Sequence, residues 1–308
     1  MALESETLYW LYIVQLVCSA VSATLNISTL SYEIRKKERN VQLCMLFVHI
    51  VIHIMLALTA FLHSGHMLYA IHHMHGRHEL VFWFGNLTYS FSVISGLSDF
   101  LLGLDRYVAM KMPIKYNVYL GRKLAIFAFL VCVALSSVNF VMMIFNRLPG
   151  DDAMITFGMH VTMSSLYVHN VVNEVFAILN IVVTVMFLWA YRQFNRKVNT
   201  NAFGINNQST LTKVNVIVIN QIVVETLFVI VPVMVTSIAQ IGFNENWPSE
   251  VGPYPSSFLM LYIMICSILY RIKLSPQQDS STEHVATDKV EMQKPSSARV
   301  KKVTFVLP

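Results

Sequence analysis

Long apolar stretches separated by short polar connections fill the chain from residue 8 to residue 272. A helix needs ~20 apolar residues to cross the ~30 Å hydrocarbon core of a bilayer, and seven stretches meet that length. They lie at about 8–32, 41–70, 81–112, 123–145, 161–191, 214–242 and 253–272. The pattern predicts an all-α membrane protein, a seven-transmembrane helix bundle over residues 1–273. Residues 274–308 are rich in Ser, Thr, Pro, Gln and charge, so we expect a disordered cytoplasmic tail.

Basic residues are distributed unequally between alternate connections. The first, third and fifth connections and the residues after the last stretch carry most of them: Arg35, Lys36, Lys37, Arg39, Lys115, Arg122, Lys123, Arg196, Lys197, Lys213, Arg271 and Lys273. The positive-inside rule therefore predicts an N-terminus outside and a C-terminus in the cytoplasm. We expect a multi-pass protein of the plasma membrane. The net charge of +5 reflects this asymmetry, so nucleic acid is not expected as a partner.

The composition excludes several classes of protein. Of the 308 residues, 55% are hydrophobic and only 13% are charged, whereas soluble domains carry about 25% charged residues. The lipid bilayer is therefore the expected solvent. No Gly-x-Ser-x-Gly, His-Glu-x-x-His or paired midplane Asp motif is present, so neither an enzyme nor a cofactor is predicted. All four cysteines lie within predicted spans, and no extracellular disulfide is expected.

Asp105 and Arg106 stand side by side where the third apolar stretch ends, and Tyr107 follows them. Charges at membrane depth are costly and tend to be functional. An arginine alone could snorkel as an interface anchor, but a carboxylate at this depth needs a cation or a proton, and the neighbouring arginine offers the cation. Pro113 then ends the helix, and Tyr116 is expected in a short cytoplasmic loop.

The run from Asp105 to Tyr116 resembles the end of the third helix and the second inner loop of rhodopsin-like G-protein-coupled receptors. The resemblance implies that Asp105 holds Arg106 in a resting form. Agonist binding near the outer face would release Arg106 to help form a cleft for a heterotrimeric G protein. The same resemblance assigns to this coupling switch Tyr107 and Tyr270, the one residue that matches the seventh-helix Asn-Pro-x-x-Tyr pattern.

Other landmarks of that family are partly replaced. Asn26 suits the first-helix asparagine and Pro232 the sixth-helix proline, whereas His53 stands near the place of the second-helix aspartate. Thr212 and Lys213 stand where the sixth helix would offer an acid to the third-helix arginine. A chain with these departures and short ends is most similar to the nematode serpentine chemoreceptors, which implies a chemosensory receptor for a small molecule.

Three polar residues within the spans form a candidate buried cluster: His53, Asp99 and Glu225. Asp99 precedes Arg106 by about two helical turns, so the two residues share a face at ~10 Å separation. If the three side chains face inward, they could hold a proton or a sodium ion. They could equally be neutral groups that hydrogen-bond between helices.

A candidate ligand cavity lies near the opposite ends of the spans. Its candidate residues are Thr88, Tyr89, Ser92, Asn170, Glu174 and Tyr254. Glu174 lies about 25 Å along its helix from Tyr191, at 1.5 Å per residue. It is either an acid of the ligand cavity or a helix-end residue in headgroup water. The hydroxyls and aromatic rings could also be ordinary packing or an interface belt.

Histidines are concentrated in the second span and the connection after it. The pairs His63/His66 and His72/His75 have one-turn spacing that suits Zn²⁺ if the segment is helical. No further acid or cysteine completes either site except Glu79, so no metal is predicted and pH-sensitive charge is the preferred interpretation.

The sequence thus predicts a receptor that couples an extracellular small molecule to a G protein. The alternative is an ion or proton transporter or channel that uses the buried Asp99, Glu225 and His53. The lack of internal repeats and of midplane Gly/Pro breaks counts against that alternative.

Overall fold

The computed structural model describes residues 2–35, 41–73, 78–149, 156–200, 205–232, 234–235 and 254–274. Seven long helices run through these ranges: α1 (Ala2–Arg35), α2 (Cys44–His73), α3 (His78–Lys111), α4 (Gly121–Phe145), α5 (Met163–Thr200), α6 (Ile205–Glu225) and α7 (Tyr254–Leu274). No strand forms within the described ranges, apart from one isolated bridge between Arg147 and Val161. The predicted all-α class is confirmed.

Six of these helices, all except α6, are long and apolar enough to cross a bilayer. The sixth predicted span, 214–242, contains a shorter apolar helix at Val214–Ile230. Residues 233 and 236–242 of that span lie outside the described residues, as do 275–308 of the predicted tail. The orientation of the termini and the division into bundle and tail stay predictions.

The connection between α3 and α4 is helical, and the expectation that Tyr116 lies in a loop is wrong. Met112 leaves helical geometry, with φ −135° and ψ 61°, because the residue before a proline is disfavoured in the α region. Pro113 then starts a single turn, Pro113–Lys115, for which its fixed φ is suited. A π-helix, Tyr116–Leu120, leads directly into α4.

A second π-helix, Thr226–Ile230, continues α6. The Val231 N–H donates to the carbonyl of Thr226, five residues earlier. Pro232 follows, and a proline ring in a helix clashes with the carbonyl four residues before it. The π-helix thus lies in the turn just before the proline, where regular helical hydrogen bonding would be interrupted.

The central helix is α3, which packs against α2, α4, α5 and α6. Glycines let its neighbours approach closely, as is usual in membrane helices. A Cβ at Gly103 would lie 2.7 Å from Cγ1 of Val183 on α5, and one at Gly85 would lie 2.3 Å from the Phe157 ring. These two positions fix how α3 meets α5 and the short 3₁₀ helix Phe157–His160 that precedes α5.

We predict that Gly103→Ala destabilises the bundle by about 1–3 kcal/mol, because the methyl group overlaps a stiff β-branched side chain. Gly65→Ala is the matched control, since a Cβ there would lie 3.7 Å from the nearest atom, Cδ1 of Leu16. The measurement is the thermal unfolding midpoint of the purified protein in detergent. Equal midpoints for the two variants would contradict the predicted contact. Adding Val183→Ala to Gly103→Ala should recover the lost stability, because it removes the side chain that the new methyl group overlaps.

Candidate functional site

Asp105 and Arg106 form a buried ion pair at the C-terminal end of α3. Arg106 is 0% exposed and Asp105 is 2% exposed. The Arg106 Nε–H donates to Asp105 Oδ2 at 2.9 Å, and Nη2 contacts the same oxygen. The guanidinium therefore does not snorkel towards water but lies inside the bundle.

Two further groups surround this ion pair. Arg106 Nη2 donates to the Gln42 carbonyl at 2.9 Å and to the Tyr116 hydroxyl at 2.7 Å. The Tyr116 hydroxyl in turn donates to Asp105 Oδ1 at 2.8 Å. We call Asp105, Arg106, Tyr116 and the Gln42 carbonyl the arginine cage. Its members come from α3, from the π-helix after it and from the 3₁₀ turn Val41–Leu43 before α2.

The other two residues assigned to the switch lie outside the arginine cage. Tyr107 is half-buried, and its ring centroid is 5.8 Å from Lys111 Nζ, which is also 4.6 Å from the Trp189 ring. The Tyr270 hydroxyl donates to Gln221 Oε1 at 2.9 Å. The sequence interpretation missed Tyr116 as a partner of Arg106. The available signal was Pro113, which ends α3 and lies three residues before Tyr116.

A second buried network joins α2, α3, α6 and α7. Asp99 Oδ1 accepts hydrogen bonds from Gln221 Nε2 at 2.7 Å and from the Tyr262 hydroxyl at 2.8 Å. Tyr270 holds the other end of the Gln221 amide, and His49 on α2 places its Nε2 at 3.5 Å from Asp99 Oδ1. We call these five residues the Asp99 network. It crosslinks four helices through one carboxylate.

The three residues predicted to cluster lie around the Asp99 network. His53 lies beside it, with its ring centroid 4.0 Å from that of His49. Glu225 on α6 accepts a hydrogen bond from Asn180 Nδ2 on α5 at 2.7 Å and is close enough to Asp99 for the two carboxyl groups to interact electrostatically. His49 was the missed member, and its position one helical turn before His53 was the available signal.

The ligand-cavity candidates on α3 mostly bond to their own helix. Thr88 Oγ1 donates to the Phe84 carbonyl and Ser92 Oγ to the Tyr89 carbonyl, both at 2.8 Å. Tyr89 packs its ring 4.6 Å from Phe157 by ring centroids. The two hydroxyls are therefore engaged within α3 in this arrangement.

On α5, the inward residue is His169 rather than its neighbour Asn170. His169 is 3% exposed, lies 5.0 Å from the Tyr89 ring by centroids and bonds Asn173 through Nε2 at 3.0 Å. Asn170 is exposed and Glu174 is half-buried.

On α7, Tyr254 is 39% exposed and packs edge-on against Phe258. Two open surface grooves are lined by other residues, one by Cys44, Arg122, Ala125 and Ile126, and one by Leu87, Ser90, Phe91, Ser136, Ser137, Phe140 and Val141. None of the six ligand-cavity candidates lines either groove.

The predicted histidine pairs do not form a three-residue metal cluster within the described ranges. His63 packs against the Tyr12 ring, and His66 stacks on Tyr69. His75 of the second pair lies outside the described residues.

We predict that Tyr116→Phe lowers the free energy of unfolding by about 1.5–3 kcal/mol, because it removes hydrogen bonds to two buried charges and leaves the ring in place. Tyr119→Phe, a 52% exposed position in the same π-helix, should change it by less than about 0.5 kcal/mol. Thermal unfolding in detergent checks both variants. An unchanged midpoint for Tyr116→Phe would show that its hydroxyl does not stabilise the arginine cage.

No family model and no curated protein matches the chain. Among solved structures, it is similar to the crystal structure of squid rhodopsin, with a TM-score of 0.59 and 14% sequence identity. The match covers 95% of this chain and 93% of that chain. At this identity, the likeness concerns the fold. The chain is a multi-pass membrane protein with a rhodopsin-like helical fold.

Proposed function

We propose that the chain is a G-protein-coupled receptor of the plasma membrane that converts binding of an extracellular small molecule into activation of a heterotrimeric G protein. The observation that carries the proposal is the arginine cage, which buries a complete arginine side chain at the end of the central helix of a rhodopsin-like fold. Its chemosensory role rests on the sequence resemblance to nematode serpentine chemoreceptors. The chain acts as a receptor and not as an enzyme.

The distribution of charge supports a cytoplasmic position for the arginine cage. Arg35 lies in the last turn of α1, Lys111 in the last turn of α3, Lys115 in the connection to α4 and Lys123 in the first turn of α4. All four residues lie at or between helix ends on the side of the bundle that holds the arginine cage. By the positive-inside rule this end faces the cytoplasm, where a G protein binds.

The arginine cage defines the resting form in this proposal. A buried guanidinium is stable only while its partners remain, because one lost partner leaves a charge without compensation. Tyr116 belongs to the connection that a G protein would touch. Its withdrawal would weaken the hold on Arg106 and free the guanidinium to donate to carbonyls of the G protein.

The Asp99 network provides a route from the ligand end to this switch. Gln221 ties α6 to Asp99 on α3 and to Tyr270 on α7. Movement of α6 away from α3 would break these bonds, and in this proposal the arrangement with the bonds broken is the active state. A ligand shifts the balance between them by binding one state more tightly. The ligand would bind near Tyr89, Glu174 and the other cavity candidates, beside His169.

We predict that Arg106→Ala abolishes ligand-evoked G-protein activation, because the residue that would contact the G protein is removed. Cells that express the full chain are screened with small molecules against a G-protein activation readout, and active compounds are retested on the variant at equal surface expression. Arg122→Ala, an exposed arginine at the same end, is the control and should respond like the original chain. Unaltered signalling from Arg106→Ala would refute the switch.

A second candidate, an ion or proton transporter or channel, is favoured by one observation: Asp99 and Glu225 are both buried within the helix bundle. Purified protein in liposomes distinguishes the two functions. Ion or proton flux without a G protein, lost in Asp99→Asn, would support transport and contradict the receptor proposal.

A further inference from the structure

Two imidazoles and one carboxylate meet in the interior of the bundle. His49, His53 and Asp99 are all buried, and each offers a ligand atom within 4.8 Å of the other two. We propose that this cluster binds a divalent transition-metal ion of the Zn²⁺ class. The proposal does not depend on G-protein coupling, because it concerns only what the three side chains bind.

The spacing of the three side chains is close to that of a metal site. His49 and His53 are one turn apart on α2, so their rings share a face. His49 Nε2 lies 3.5 Å from Asp99 Oδ1. Tetrahedral Zn²⁺ ligands at 2.0–2.1 Å from the metal are about 3.3 Å apart. Small side-chain rotations would therefore bring the three ligand atoms to coordinating distance and leave the fourth position open.

Hydrogen bonding fixes the tautomer of His49 that a metal requires. The Ser98 hydroxyl donates its one hydrogen to the Ser95 carbonyl at 2.8 Å. Its contact with His49 Nδ1 at 2.9 Å must then be donated by the imidazole. His49 Nε2 consequently carries a lone pair, and it faces Asp99. A ligating histidine whose other N–H is held by a neighbour is the usual arrangement at metal sites.

His53 supplies an independent indication. Its side chain is 0% exposed, and among the described residues neither Nδ1 nor Nε2 has a hydrogen-bond partner. Buried imidazole nitrogens are rarely left unpaired, and each such group needs an explanation. A metal ion bound through one of these nitrogens provides it.

The charge around Asp99 also favours a bound cation. Its hydrogen-bond donors, Gln221 and Tyr262, are neutral groups. Within the described ranges, neither lysine nor arginine forms an ion pair with it. Two nitrogen ligands favour Zn²⁺ or a similar transition metal over Na⁺ or Mg²⁺, which prefer oxygen.

A bound metal ion would compete with the hydrogen bonds that Gln221 on α6 makes to this cluster. Gln221 Nε2 donates towards both Asp99 Oδ1 at 2.7 Å and His49 Nε2 at 3.2 Å. Both acceptor atoms are proposed metal ligands, so a bound ion would displace these N–H groups. The site thereby links occupancy by a metal to the contact between α3 and α6.

The test measures metal content and affinity in the full chain. Because the three side chains are buried, the protein is produced in medium containing Zn²⁺ and purified in detergent, and bound zinc is counted by atomic emission. We expect about one Zn²⁺ per chain in the unmodified protein and in His63→Phe, which alters another buried histidine of α2. His53→Phe and Asp99→Asn should lower the affinity for Zn²⁺, measured by competition with a chelator, by more than the ~10–100-fold typical of outer-shell changes.

A second measurement covers the case in which these variants fail to fold. Chelator treatment of the unmodified protein should lower its thermal unfolding midpoint, and Zn²⁺ but not Mg²⁺ should restore it. Two results would overturn the proposal: zinc content no higher in the unmodified protein than in His53→Phe, or loss of bound zinc on addition of excess NaCl.

Discussion

One buried positive charge determines the architecture at the end of α3. Arg106 has no exposed surface, so every stabilising partner has to come from the protein. Asp105 is its neighbour in the chain, but the Gln42 carbonyl and the Tyr116 hydroxyl come from other segments. The helical connection after Pro113 brings the Tyr116 hydroxyl back to Arg106. Gly121 permits that return, because a Cβ there would lie 3.0 Å from Cζ of Tyr116.

The helices differ in how much of their surface is buried in the bundle. Each of these spans contains an apolar segment of 18 residues. The bundle buries 61% of this segment in α2 and 56% in α3, but only 22% in α4 and 17% in α5. Among the described residues, α3 carries the most buried polar side chains, eight, followed by α1 with six and α2 with five. The exposed faces of α4 and α5 are apolar surface of the kind that lipid covers. Both the arginine cage and the Asp99 network are built on α3. A shift of this helix therefore disturbs both sites, which makes it the natural link between them.

Sequence reasoning located the helices well because length and hydropathy set them, and it placed Asp105 with Arg106 because they are adjacent. It failed where partners are distant: Gln42 is 64 residues from Arg106, and Gln221 is 122 residues from Asp99. It also could not choose the inward face of a uniformly apolar helix, so it selected Asn170 where His169 faces inward. The helical return of Tyr116 after Pro113 depends on contacts with distant segments, which the local sequence does not reveal.

Unpaired polar atoms are buried both at the arginine cage and away from it. Nε and Nη2 of Arg106 donate to its partners, whereas Arg106 Nη1 is buried without one among the described residues. Away from the cage, the side-chain polar atoms of Asn26, His53 and Asn215 are also buried without partners among the described residues. Each such group costs about 1–3 kcal/mol, so an arrangement or an ion that pairs them is favoured by a comparable amount. A rearrangement that pairs any of these atoms therefore gains free energy from hydrogen bonding, at the arginine cage as well as in the rest of the interior.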